Sequence, residues 1–251
     1  MDSDSFIEMN RQGWNELVKS DKPFSNTILP EYGPFLKRNE EEIGLFKNLQ
    51  NAKVLDLGCG EGKSLEYLYK KGASEIWGID ISQEQIANAR NRFPQFKNNF
   101  LISPMEEEVN VPNNYFDYVI SIFSIGYTSD ISKTFKNAYK YLSCSGSLII
   151  SWTHPFYYCL DVMDSNVIVS KSYFNEESEV IIKGVAKINL AQKNLMISTM
   201  IQEAKKAGFY VDEILEEETI FNGYESEFWR EEKTVVCPST IIYKFKKIDK
   251  N

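Results

Sequence analysis

Apolar residues recur near the start of the chain at Phe6, Met9, Trp14, Leu17 and Val18, a spacing compatible with an amphipathic helix over 6–18. Pro23, Pro30, Gly33 and Pro34 then break the chain into a loop. Ile43, Phe46 and Leu49 fall on one side of a second predicted helix over 40–49. At residue 53 the texture changes. Short apolar runs over 53–57, 75–79, 99–103, 115–123 and 146–152 read as strands. Between them lie helical stretches over 64–71, 83–93 and 129–142. Gly72 closes the first, and Ser82 reads as the N-cap of the second, with Pro94 after its end. A turn over 143–146 leads into the fifth strand. Strand–helix alternation with buried-type strands predicts a parallel sheet with helices on both faces.

The last hundred residues change character. The stretches 166–173 and 179–187 read as β segments of an insertion, and 198–207 as a helix ending at Gly208. Two more strands, over 209–215 and 238–245, form a hairpin-like pair of the kind that ends a seven-stranded sheet. The predicted class is therefore α/β, with a doubly wound, seven-stranded, mostly parallel sheet.

Composition narrows the function. A chain of 251 residues that is 43% hydrophobic and 25% charged can bury a proper core. Its net charge of −8 comes without a basic patch, the densest basic run being Lys244, Lys246, Lys247 and Lys250 near the end, so no nucleic-acid partner is expected. Cys59, Cys144, Cys159 and Cys237 are far apart, which argues against a zinc or iron–sulfur site. No apolar run approaches the length of about 20 residues that spans a bilayer. The acidic opening, residues 1–5, lacks the form of a signal peptide. A cytoplasmic protein with free thiols and no membrane partner is expected.

The central chemical signal is Asp56-Leu-Gly58-Cys59-Gly60-Glu-Gly62, between a strand and a helix. Glycines there let the backbone turn tightly and approach a ligand. Asp80 ends the next strand about 20 residues on, where a carboxylate can accept both hydroxyls of a ribose. The spacing is G-x-G-x-G, and Lys63 stands where a dinucleotide loop carries its third glycine. That disfavours a pyrophosphate, and Asp56 suits a cationic ligand.

This segment resembles the signature of class I S-adenosylmethionine-dependent methyltransferases. Residues 54–62 look like their first motif and Gly78-Ile-Asp-Ile-Ser82 their second. Phe116-Asp-Tyr-Val-Ile-Ser121 resembles their fourth strand, and Ala207-Gly-Phe209 the start of their sixth. Leu29-Pro-Glu-Tyr-Gly33 and His154-Pro155 are similar to a bacterial, type-11-like subgroup acting on small molecules. The resemblance implies one Rossmann-like methyltransferase domain over 1–251. Its parts would be lid helices over 1–50, a cofactor-binding core over 51–154, a substrate-side insertion over 155–197 and a C-terminal helix with an antiparallel strand pair over 198–251. It further implies that Gly58 and Gly60 face the methionine part of S-adenosylmethionine. Asp80 would hold the ribose, Ile81 would pack on the adenine, and Met105 and Glu106 would lie at the adenine edge. Ser121 would sit beneath the cofactor and Tyr32 in a closing lid, with Asp56, Cys59 and Gln85 completing the set.

Methyl transfer needs a base only when the acceptor holds its proton at neutral pH. His154, the one histidine, lies just past the predicted fifth strand and is the candidate base. The alternative is a structural histidine that bonds the backbone and fixes the turn before Pro155. Tyr127 follows the fourth strand where many relatives carry a His-Tyr pair, and Gly126 stands in place of that histidine. Trp152, Phe156, Tyr157 and Tyr158 surround His154 in sequence and suit either a flat apolar acceptor or core packing. Residues 121–126 hold no acid, so no catalytic metal is predicted. The expected function is methyl transfer to a small-molecule acceptor. A methyltransferase acting on RNA or protein, and a protein that binds the cofactor without turnover, remain as alternatives. Neither the acceptor atom nor the oligomeric state is set by the sequence.

Overall fold

The computed structural model describes residues 1–20, 27–220 and 228–247, so Pro23 and Lys250 lie outside the described residues. Helix α1 (Ser3–Lys19) starts where the Asp2 side chain accepts the Ser5 N–H at 2.9 Å. The helix expected over 40–49 is one turn long, α2 (Glu40–Ile43). Asn39 and Glu42 form a capping box at its start, and Gly44, at φ 68°, ends it by donating its N–H to the Glu40 carbonyl. The apolar periodicity ran through a residue whose backbone leaves the helix.

The alternating half follows the expected order: β1 (Lys53–Leu57), α3 (Lys63–Lys70), β2 (Glu75–Asp80), α4 (Gln83–Arg92), β3 (Phe100–Ile102), β4 (Phe116–Ile122), α5 (Ile131–Tyr141) and β5 (Leu142–Thr153). Ser82 caps α4 by accepting the Gln85 N–H. Asp130 caps α5 by accepting the Lys133 N–H at 3.0 Å. The turn expected over 143–146 is taken into β5 as an irregularity in its pairing with β4, and Ser145 has φ 61°.

Next come α6 (Pro155–Cys159), the paired β6 (Leu160–Met163) and β7 (Asn166–Val169), and the paired β8 (Glu179–Lys183) and β9 (Ile188–Gln192). The β segment expected over 179–187 is thus half strand and half turn. Gly184 and Lys187 both take positive φ there, and the Lys187 N–H donates to the Gly184 carbonyl at 3.1 Å. The chain ends with α7 (Ile197–Ala207), β10 (Phe209–Leu215), α8 (Glu231–Thr234) and β11 (Thr240–Lys247).

The main sheet has seven strands in the order β10-β11-β5-β4-β1-β2-β3. All pairs are parallel except those of β11, which runs antiparallel to β5 and β10. This is the doubly wound class expected. Neighbouring residues of β1 show why helices cover both faces: Val54 packs into one apolar cluster and Leu55 into the other. One cluster includes Phe135 of α5 and Met200 of α7, the other Leu65 of α3 and Ile86 of α4. The chain winds outward from β1 through β2 to β3, then returns to place β4 on the other side of β1. The carboxyl ends of β1 and β4 therefore flank a topological switch point, where open sheets bind ligands. Among the described residues, no helix is long and apolar enough to cross a membrane.

Candidate active site

The glycine loop leaves β1 and folds across the end of β2. The N–H groups of Gly58 and Cys59 both donate to the Ile79 carbonyl, at 2.8 and 3.0 Å. Gly58 needs its hydrogen twice over: φ is 80°, and a Cβ would stand 2.5 Å from the Ser124 Cβ. The Gly60 N–H donates to Asp80 Oδ2 at 2.8 Å, and the Ser82 N–H donates to Asp80 Oδ1 at 2.8 Å. Burial nevertheless pushes the Asp80 carboxyl up to about 6, because two amide bonds do not replace water around the charge. Gln85 lies beside Gly60, and Ile81 is partly buried at the start of α4.

Asp56, at 3% exposure, is the least satisfied group of the site. Its Oδ1 has no hydrogen-bond partner among the described residues. Burial, and then the nearby Asp80, hold its carboxyl well above the usual range. Among the described residues no cation lies between these two neighbouring buried acids, so the site is short of positive charge. The Cys59 side chain packs against β2. Its Sγ lies 2.5 Å from where a Cβ of residue 78 would stand, which explains the glycine in the second motif.

On the other side of the switch point, Ser121 and Ser124 share a 2.6 Å hydrogen bond, and the Ser124 hydroxyl donates to the Leu57 carbonyl at 2.7 Å. Ser124 is a site residue that sequence reasoning missed, since no periodicity marks a hydroxyl that fits under a glycine. The Met105 side chain reaches Gly58, with its Cε 3.4 Å from the position of a Cβ there. The Glu106 carboxylate points elsewhere. It accepts the Ser129 N–H at 2.9 Å and the hydroxyls of Ser129 and Thr128, tying the β3 loop to the start of α5.

Helix α1 packs on the start of α4 and on the β8–β9 hairpin. Asn15 accepts the Ser82 hydroxyl at 2.8 Å and the Glu84 N–H at 3.2 Å, holding α1 to the start of α4. Asn10 exchanges two 2.9 Å hydrogen bonds with the backbone of Ala191, so the helix and the β8–β9 hairpin are joined through a buried amide. Between these anchors Trp14 meets Tyr127 edge-on at 5.2 Å, and Tyr127 meets Trp152 edge-on at 5.3 Å. The Tyr127 N–H donates to the Ser124 carbonyl, which ties this aromatic group to the glycine loop. Gly126 is where Trp152 fits: a Cβ there would stand 2.0 Å from the indole Cζ2.

Tyr32, expected in the lid, is fully buried and donates its hydroxyl to Glu40 Oε2 at 2.6 Å. The same carboxylate accepts the N–H groups of Leu45 and Phe46. The ring is thereby an anchor for the segment after α1. His154 caps α6, its Nδ1 accepting the Phe156 N–H at 3.2 Å. That assigns the proton to Nε2, which donates to Glu216 Oε1 at 2.8 Å. Burial lowers the imidazole pKa, with Glu216 acting in the opposite sense. Hollows of about 600 and 370 Å³ lie beside the end of α4 and at the far end of β1 and β4, and no site residue of the glycine loop lines either.

The switch point, the glycine loop and the acid that ends the second strand define a nucleoside-binding doubly wound fold. Residues 54–146 match the sequence model of a family described as a methyltransferase domain. A Haemophilus influenzae protein described as uncharacterized is 31% identical over 122 residues, 47% of this chain and 48% of that protein. The ubiquinone/menaquinone biosynthesis C-methyltransferase of Rickettsia akari is 30% identical over 145 residues, 55% of this chain and 53% of that protein. The chain spans about half the length of the curated relatives it matches. The solved S-adenosylmethionine dependent methyltransferase of Mesorhizobium loti shares the fold, with a TM-score of 0.63 at 18% identity over 82% of this chain and 95% of that one. Residues 54–146 therefore match a methyltransferase domain within a chain that has the fold of solved S-adenosylmethionine dependent methyltransferases, and that match and fold imply S-adenosylmethionine as the cofactor.

Proposed function

We propose that this chain transfers the methyl group of S-adenosylmethionine to a small-molecule acceptor. The observation that carries the reading is Asp56: a buried carboxyl with an unpartnered oxygen, beside a second buried acid, under a loop of positive-φ glycines. The donor set fits the cofactor. S-adenosylmethionine supplies an electrophilic methyl on a sulfonium and also carries an ammonium group. Asp56 supplies the negative charge for that cationic end, and Asp80, already aligned by Gly60 and Ser82, has lone pairs left for two ribose hydroxyls. Gly58 and Gly60 keep the approach free of side chains. Ile81 offers an apolar surface to the base, and Met105 closes the site behind Gly58.

The chain's part in the reaction is to orient and to exclude water. Helix α1 and the β8–β9 hairpin form the cover, and Trp14, Tyr127 and Trp152 form an aromatic wall on the acceptor side. The engaged nitrogens of His154 support a capping role rather than that of general base. The net charge of −8 favours a small acceptor over nucleic acid. The test is calorimetric titration of the purified chain with S-adenosylmethionine, followed by transfer of labelled methyl into a size-fractionated cell extract. Binding with label in the small-molecule fraction is expected. Label in RNA or protein overturns the acceptor class, and failure to bind overturns the cofactor.

A further inference from the structure

Lys183 is the last residue of β8, before the turn over 184–187. It lies outside the matched residues 54–146. Alternation along β8 leaves Val180 and Ile182 exposed and turns Ile181 and Lys183 inward. The Lys183 Nζ lies 4.6 Å from the centroid of the Trp14 ring and 5.7 Å from that of Tyr127. No carboxylate among the described residues forms an ion pair with it or contributes to its titration, and desolvation alone lowers its pKa to about 8. Tyr127 is the titratable group that faces it, and burial holds that phenol well above its ordinary value, so it stays neutral. Among the described residues this cation faces rings and no anion, at the wall between cover and switch point.

We propose that Lys183 takes the proton of the methyl acceptor and holds the resulting oxyanion, the acceptor being a flat ring that bears an ionisable hydroxyl. The inference rests on the methyl-transfer reading above. The hydroxyl proton moves to the neutral Nζ, giving an ammonium–oxyanion pair. The oxygen then bonds to the methyl carbon as the carbon–sulfur bond breaks, with the sulfur keeping the electron pair. Trp14, Tyr127 and Trp152 supply the surface for the ring. A sulfonium close by favours the neutral amine, the form that accepts a proton.

The test compares the wild type with Lys183→Met and Lys183→Arg. S-adenosylhomocysteine affinity is measured first. All three proteins are expected to bind it equally, and a wild type that does not bind refutes the cofactor reading itself. Each loaded protein is then titrated at pH 8 with 4-nitrophenol, followed by the phenolate absorbance, and with 4-nitroanisole and phenyltrimethylammonium. Wild type is expected to bind the phenolate at least about tenfold more tightly than the anisole, the scale of one charge-assisted contact. Lys183→Met is expected to lose that preference and Lys183→Arg to keep it. Undiminished phenolate affinity in Lys183→Met overturns the proposal. So does tighter binding of phenyltrimethylammonium, which would make the rings a cage for cations that Lys183 merely fills. Binding of none of the probes overturns the acceptor class.

Discussion

Asp56→Asn separates the cost of the site from its use. In the protein without cofactor, each pH unit by which burial raises this carboxyl above its ordinary 3.8 costs the folded state about 1.4 kcal/mol at neutral pH. The amide has the same shape and no charge, so it removes that cost. It also removes the repulsion that Asp80 and Asp56 exert on each other. The variant should therefore be more stable than the wild type at pH 7. Its Tm should rise accordingly. Affinity should move the other way. A contact between a carboxylate and an ammonium is worth about 1.5–3 kcal/mol, so S-adenosylmethionine should bind about 10–150-fold more weakly. 5′-Methylthioadenosine, which lacks the amino-acid part, should bind both proteins alike. Thermal unfolding and calorimetry with both ligands make the test. An equal loss of affinity for the two ligands, or a lowered Tm, would show that Asp56 supports the loop and does not meet the cationic end.

Three further outcomes follow from the same geometry. Asp80 must be ionised to accept two ribose hydroxyls, and its carboxyl sits at about 6, so cofactor affinity should fall about tenfold between pH 7 and pH 5. The stability term from Asp80 runs in the opposite sense, being fully present below about 3.8 and lost as pH rises through about 6; calorimetry across that window distinguishes the two, and a flat affinity profile removes Asp80 from the site. Gly126→Ala drives a methyl to 2.0 Å from the Trp152 ring and should destabilise by about 1–3 kcal/mol, whereas Gly126→Ala with Trp152→Leu should recover most of that; additive losses in denaturant titration would refute the contact. His154→Ala loses the cap on Phe156 and the bond to Glu216, and should cost about 1–2 kcal/mol while leaving S-adenosylhomocysteine affinity unchanged.

The sheet was legible because its information is local. Each strand of the alternating half is an apolar run bounded by a turn, and the one glycine loop followed by an acid two elements later fixes where the order reverses. What escaped was non-local or conformational. Gly44 ends α2 through a left-handed backbone, and the pattern of Ile43, Phe46 and Leu49 continues past it for a different reason: Phe46 is buried against the ring of Tyr118 on β4. The turn that splits 179–187 depends on positive φ at Lys187, a residue type that does not announce it. Tyr32 and Glu106 are placed next to the site by motif, yet their side chains are committed to Glu40 and to Thr128–Ser129, pairings that only the folded chain reveals.

The division between legible and hidden parts follows the division of labour in the molecule. The matched residues 54–146 hold the glycine loop, Asp80 and the switch point, and those residues answer to the cofactor. Of the groups proposed for the acceptor wall, Tyr127 lies within that segment, and three come from outside it: Trp14 from α1, Trp152 from the end of β5, Lys183 from β8. Trp14 is brought to the other two where Asn10 and Gly13 bind α1 to β9 at one end and Asn15 binds it to α4 at the other. A substitution at Asn10 therefore acts on the acceptor wall through the position of a helix, with no direct contact to either ligand. Loosening that amide should change acceptor affinity more than cofactor affinity, because Asp56, Gly60 and Asp80 are held by the sheet, the loop and the Ser82 N–H.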